Sequence, residues 1–426
     1  MNRALFYNSL MMLFSPVVGL VYGLKRSFDS SYKRKLLTLF ITIFGSVITI
    51  SESNDGYRHW QNVYFHYMDL SLGKFISECW EIISFKSNIN IQEDLYIHFL
   101  SYITGAVLGV PWLFFVFVAF IYGYFFSGSV FRLIQLSKGR NYGRIFYFFL
   151  IVFLLWKGLE GINSIRTWTG GWVLFYACLS YYQTKKKKYL LLMFVPPYIH
   201  IGYFAMTIPA WIVLFLGVRH KLYVILFCLS FVTTIFDHGS VIKQLQTTEV
   251  GADKVRSYQV EEQRTSDYYL DQYSGSTWYL KLFALGVQNW GVNILAFSLI
   301  FFGVYKRMNL LESHLFSIGL LTKVLSNASW FLFALQNRTA IITGLFILAS
   351  FLLVWQRGGF TSIAKHKAKL LRFSFILSFI LLIPFVIYKI AGMIYFLSIN
   401  LFLLPFIPWF DSSLNYSVRE FLSFLL

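Results

Sequence analysis

Residues 110–130 read VPWLFFVFVAFIYGYFFSGSV, a run with no charged side chain, and residues 131–144, FRLIQLSKGRNYGR, follow with four Lys and Arg. An apolar run of about 20 residues crosses roughly 30 Å of hydrocarbon as a helix. In lipid the helix is the default, because it satisfies its own backbone hydrogen bonds. The basic cluster behind the run marks that end as cytoplasmic.

The same alternation extends in both directions. The chain has 426 residues, 57% hydrophobic and 13% charged, with mean hydropathy +0.60. This describes an all-α polytopic membrane protein of one domain. Spans are expected near 4–24, 36–51, 110–130, 145–158, 168–183, 189–200 with 201–217, 222–236, 279–303, 313–335, 339–355 and 373–389. Residues 393–410 either return across the bilayer or re-enter it, so the total is about twelve. The first run carries no small-residue cleavage site and is expected to stay as a span. No internal repeat is visible.

Basic clusters at Lys25 to Lys35, Arg132 to Arg144, Lys185 to Lys188, Arg219 to Lys221, Lys306 with Arg307, and Arg357 to Arg372 hold 22 of the 37 Lys and Arg. Each follows alternate spans, which makes these loops cytoplasmic and puts the N-terminus outside. The net charge of +18 is thereby accounted for without a nucleic-acid partner. Asp29 and Glu312 stand almost alone among carboxylates on the basic side. Cys79, Cys178 and Cys228 are scattered, which suggests small packing residues and neither a disulfide framework nor a zinc site.

Two long connections then lie outside. The first, 51–108, alternates apolar and polar residues and is expected to form amphipathic or partly inserted helices at the outer interface, roofing the bundle. The second, 237–278, is polar and Tyr-rich with seven carboxylates, and fits a mobile lid, a sugar-facing platform or a solvated loop. Ionisable residues gather at the outer span ends: Asp55, Arg58 and His59; Glu93, Asp94 and His98; Arg166; His200; and Arg338. Taken singly each reads as an interfacial side chain. Their recurrence at separate outer ends points to a cavity on that face. Lys323, near the middle of its span, lines that cavity or is paired.

These residues carry a resemblance. NDGYRHWQNVY with Asp55, Tyr57 and Tyr64, SIRTWTGGWVLFYACLSYYQTKKKKYLLLM opened by Arg166, the IH at His200 and the NR at Arg338 together resemble the EpsG-type branch of the Wzy polysaccharide polymerases, over residues 35 to 360. Thr167 and Trp168 depart from the family pattern after the Arg. The resemblance implies a GT-C-like membrane glycosyltransferase of the bacterial cytoplasmic membrane. Such an enzyme joins oligosaccharide repeat units carried on polyprenyl diphosphate at the outer face, for O-antigen, capsule or exopolysaccharide. It also implies a flippase and a chain-length regulator as partners beside the lipid-linked substrate and the bilayer.

In that reaction Arg166 and Arg338, helped by Arg58, would stabilise the diphosphate leaving group as bidentate forks. Asp55 would take or orient the proton of the acceptor hydroxyl, with His200 or His98 as the second choice. Tyr57 and Trp60 would hold sugar rings, and His59, Tyr64, Asp94 and Trp168 would complete the substrate site. No D-x-D motif stands in the outer loops, and neither metal nor cofactor is expected. Two alternatives are a transferase using a polyprenyl-phosphate monosaccharide and a flippase for lipid-linked oligosaccharide. The flippase fits less well, because alternating access needs a midplane site gated on both sides.

The charge pattern makes a testable prediction. In a variant without Cys79, Cys178 and Cys228, cysteines placed at Ser53 and Ser257 should react with an impermeant thiol reagent in intact cells, and one at Ser137 should not. Labelling at Ser137 would invert the topology.

Overall fold

The computed structural model describes residues 3–26, 29–50, 55–84, 94–136, 142–233, 277–330, 332–360 and 365–425. Glu93, residues 51–54 and nearly all of the second outer connection lie outside the described residues. Every regular element among the described residues is a helix.

The N-terminal run does not form the single span expected for 4–24. It folds as α1 (Arg3–Phe14) and α2 (Pro16–Lys25), broken at Ser15, whose backbone is non-helical. Proline opens α2, where its missing N–H costs nothing. The two helices lie antiparallel: Gly19 abuts the Met12 backbone, and Gly23 abuts the Asn8 side chain. At 12 and 10 residues they are about 18 and 15 Å long, short of the roughly 30 Å of a bilayer core. Hydropathy averages over the turn and cannot see it.

Next comes α3 (Ser30–Ser46), capped by Asp29, whose carboxylate accepts from the Tyr32 N–H. The roof follows as α4 (Asp55–Asn62), α5 (Leu72–Ile83) and α6 (Leu95–Tyr102), with π-helical turns continuing α4 and α6. On α5, Leu72, Ile76, Trp80 and Ile83 are exposed along one stripe, while Phe75 and Glu78 are buried on the other. The helix is thus amphipathic, with one apolar face left uncovered.

The bundle continues through α7 (Leu113–Gln135), α8 (Gly143–Trp156) and α9 (Ile165–Thr184). A run of short helices comes next: α10 (Lys187–Leu192), α11 (Pro196–Ile199), α12 (Tyr203–Met206) and α13 (Ile208–Leu216). Then come α14 (His220–Thr233), α15 (Trp278–Ala284), α16 (Val287–Phe301), α17 (Leu310–Ala328), α18 (Phe333–Gln356) and α19 (Lys365–Met393). The C-terminal region holds α20 (Ile407–Phe410) and α21 (Val418–Leu425).

Among the described residues four helical segments, Leu113–Gln135, Gly143–Ile162, Ala334–Gln356 and Lys367–Met393, are long and apolar enough to cross a membrane. The bent pair α15 and α16, at 62°, makes a fifth if it is one span. The other expected spans fall on shorter helices, or on α9 and α17, which are 20 and 19 residues long and bury most of their side chains. A helix surrounded by protein is not required to be apolar, so these two mix Thr, Ser, Gly and Asn into their sequences. The 393–410 stretch forms no crossing helix. It runs as turns and short helices and meets the tip of the N-terminal hairpin, where the Leu404 N–H donates to the Phe14 carbonyl at 2.7 Å.

At the basic end, Arg357 donates from Nε and Nη2 to the two oxygens of Glu312 at 2.8 Å each, and Glu312 also completes a capping box with Asn309. The two basic-side carboxylates thus hold helix starts in place. Close helix packing relies on small residues. At Gly45 in α3 a Cβ would strike the Ala119 Cβ and lie 2.5 Å from the Phe115 carbonyl oxygen of α7, and nearby Thr38 and Ser127 share a buried 2.7 Å hydrogen bond. Gly45→Ala should therefore cost about 1–3 kcal/mol, read as a lower melting midpoint in detergent. Gly73→Ala, where a Cβ meets nothing within 4 Å, should not lower it. Equal midpoints would mean that the α3–α7 contact is slack.

Candidate functional site

At the end of the bundle opposite the basic loops, four segments distant in sequence converge on one carboxylate. Asp94 stands immediately before α6 and is buried. Its Oδ2 accepts from Arg166 Nη1 at 2.6 Å, and its Oδ1 accepts from the Ile201 N–H at 2.7 Å. His200 Nδ1 lies 3.3 and 3.2 Å from the two oxygens. The far side of the same imidazole, Nε2, lies 3.4 Å from Arg338 Nη1 on α18. A guanidinium can only donate, so Nε2 accepts and Nδ1 carries the proton given to Asp94.

Local sequence explains why these groups are free to meet. Pro196 and Pro197 start α11, and Pro209 interrupts the run again at α13. His200 is extended, with φ −155° and ψ 125°. The Ile201 amide is left outside any helical ladder and turns to Asp94. Irregular backbone within a bundle is tolerated where a partner of this kind satisfies it. Arg166 lies in the first turn of α9, so the N–H groups that open that helix face the same space and add partial positive charge.

In front of this network is a cavity of about 270 Å³, lined by Asp55, His59, Lys157, Ser164 to Trp168, Ala334, Asn337, Arg338 and Ile341. Arg166 and Arg338 give it a cationic wall, with the Lys157 amine beside them. The Lys157 Nζ rests 4.2 Å from the centre of the Trp168 ring. Asp55 stands at the mouth, 62% exposed and paired with Arg58 at 3.2 Å. His59, one turn further along α4, is 4% exposed.

Asp94 and His59 are both electrostatically displaced. Burial works to raise the Asp94 carboxyl, but His200, Arg166 and the Ile201 amide outweigh it and hold it below the usual carboxylate range. For His59, burial and then the Arg166 charge lower the imidazole from 6.5 to about 4. His59 is therefore neutral at physiological pH.

Of the residues singled out in the sequence, Asp55, His59, Arg166, Trp168 and Arg338 share the cavity. Asp94 and His200 stand one layer behind it and position the two arginines. Tyr57, Trp60 and Tyr64 form an aromatic ladder along α4 and the turn after it, with ring centroids 5.8 and 5.5 Å apart. His98 lies away from this cavity. It is fully buried in the roof, with Nδ1 2.7 Å from the Tyr67 hydroxyl and its ring stacked 4.8 Å from Phe75, so it belongs to the packing of α5 on α6. Lys323 carries its ammonium 5.7 Å from the Phe231 ring and does not line this cavity. Lys157 and Asn337 were missed. For Lys157 a signal existed, since it is a lysine at an outer span end, on the side where the charge rule places few.

Compared with known proteins, the chain matches no family model, no curated protein and no solved structure.

Asp94→Asn would leave Arg166 and His200 facing a neutral amide in a buried setting, a loss of about 3–5 kcal/mol. Because folding lowers this carboxyl, its contribution is complete above the unfolded value of about 3.9 and fades as pH falls through the folded value. The melting difference between wild type and Asp94→Asn should be constant from neutral pH down to about 5 and shrink below about 4. A difference independent of pH would show that the ionised carboxylate contributes nothing to stability.

Proposed function

We propose that this chain is a membrane glycosyltransferase that joins oligosaccharide repeat units carried on polyprenyl diphosphate. It transfers the growing chain from its lipid carrier onto the non-reducing end of the next lipid-linked unit, at the outer face of the bacterial cytoplasmic membrane. The resemblance to EpsG-type Wzy polymerases supports this reading. A GT-C-like arrangement with more crossings than the four or five long apolar helices is part of the proposal. The single observation that carries it is the cationic cavity wall, with Arg166 clamped by buried Asp94 and Arg338 held against His200.

The chemistry follows from that wall. When a glycosyl group leaves a lipid diphosphate, negative charge grows on the bridging oxygen. Guanidinium groups fixed beforehand stabilise that charge without reorganising, which is where electrostatic catalysis gains most. Arg166 has one Nη committed to Asp94, which fixes the plane of its fork. Arg338 approaches from α18, and the Lys157 amine adds a hydrogen-bond donor to the cavity lining. The Tyr57, Trp60 and Tyr64 ladder leads outward from the mouth and offers ring faces on which sugars of the repeat unit stack. The apolar stripe of α5 lies against the bilayer interface, where the polyprenyl tails run.

A transferase with a polyprenyl-phosphate monosaccharide donor is the second reading. It is favoured by the modest size of the cavity, about 270 Å³, near the lower bound of small-molecule sites.

Arginine chemistry separates anchoring from catalysis. Arg166→Lys and Arg338→Lys should each abolish polymer in cells while protein abundance stays normal, because a point charge does not reproduce two parallel hydrogen bonds. Lipid-linked single repeat units should then accumulate outside. Full polymer in both variants would reduce the arginines to interfacial anchors, and long chains lacking one sugar would favour the monosaccharide transferase.

A further inference from the structure

His59 is an anomaly in the packing. Its ring is buried at 4% exposure, yet neither Nδ1 nor Nε2 has a hydrogen-bond partner. A neutral imidazole has one donor and one acceptor, and leaving such groups unmade in a buried place costs about 1–3 kcal/mol apiece. Among the described residues no other buried ring has both nitrogens orphaned. The ring is also fixed in direction. Gly56, three residues earlier on the same buried face of α4, sits so close to the loop before α9 that a Cβ there would lie 2.7 Å from Asn163 Oδ1. The helix cannot roll, and His59 faces the cavity it lines.

The other candidates for a proton acceptor are occupied. His200 has one nitrogen on Asp94 and the other on Arg338. The oxygens of Asp94 are taken by Arg166 and the Ile201 amide. Asp55 is exposed at the mouth and paired with Arg58.

We propose that His59 is the general base of the transfer, receiving the proton of the acceptor sugar hydroxyl within the cavity. The assignment rests on the glycosyl-transfer reading given above. In the step, the acceptor oxygen bonds to the anomeric carbon of the donor, and the bond from that carbon to the diphosphate oxygen breaks. The diphosphate departs with the electron pair onto Arg166 and Arg338. The hydroxyl proton moves to the imidazole and leaves to water through the mouth at Asp55.

The surrounding charges make this base depend on its substrate. Facing His59 are Asp55 and Arg58 from its own helix, Arg166 from α9 and Asp94 from the start of α6. Lys157 and Arg338 line the same cavity. In the empty cavity burial, reinforced by the Arg166 charge, makes the ring a weak base. A bound diphosphate brings negative charge that offsets the cationic part of this effect, so basicity rises when donor is in place.

The test uses the purified full chain in lipid nanodiscs with a synthetic polyprenyl-diphosphate-linked repeat unit, measuring elongation rate against pH, substrate binding and melting midpoint. His59→Gln keeps a polar side chain and removes basicity. It should lower the rate about 10²- to 10⁴-fold, with binding unchanged and the acid limb of the pH profile gone. His59→Ala should regain part of its rate when imidazole is added, a rescue that a purely structural role would not give. A His59→Gln protein that elongates at the wild-type rate with the wild-type pH profile overturns the assignment, as does a rate loss explained wholly by weaker binding or by unfolding without imidazole rescue. A wild-type chain that never elongates the repeat unit overturns the glycosyl-transfer reading itself, and the assignment with it.

Discussion

One carboxylate organises the outer half of this protein. Asp94 accepts from Arg166, His200 and the Ile201 amide, tying the start of α6, the first turn of α9 and the break between α11 and α12 to a single point. A buried, unpaired carboxylate would be prohibitive in this setting. With three donors it holds the cavity's wall instead. The two arginines reach the same cavity from different helices and bring their positive charge to its wall. The arrangement gives up part of the charge of Arg166 in exchange for its orientation.

Elsewhere the chain treats buried charge in the same way. Lys389 of α19 donates to Glu160 at 2.7 Å in the short connection between α8 and α9, beside Lys157. At the opposite end Glu312 is held by both arms of the Arg357 fork. Breaking such a pair is far more destabilising than its net contribution suggests, because the survivor is left alone in a poor solvent. One clasp ties α19 to the connection between α8 and α9, and the other ties the end of α18 to the start of α17.

Part of this was legible in the sequence. Apolar runs with basic loops between them state the membrane class, and Arg166, Arg338, Asp55 and His59 stand out because each interrupts or ends such a run on the same side. What could not be read is the partnership of Asp94 with Arg166, 72 positions away, since neither residue's neighbours point to the other. The same limit made Asp55 look like the central carboxylate when it stands at the rim, and made His98 look like a site residue when it fills the roof. Pro196 and Pro197 break the run after α9. They do not say that the freed amide finds a carboxylate.

The N-terminal hairpin has a consequence for how the chain is assembled. Its tip is fastened to the far end of the polypeptide: the Ser15 hydroxyl donates to the Phe402 carbonyl across a separation of 387 positions. At translation speeds of about 5–20 residues per second, that partner is made roughly 20–80 s after the hairpin. The body of the hairpin docks at once on α3, where Asn8 donates to the Tyr32 hydroxyl at 2.8 Å, but its tip is fastened only when the C-terminal region arrives. A chain truncated before Phe402 would keep the hairpin on α3 and lack the clasp at Ser15 that ties the two ends of the polypeptide together.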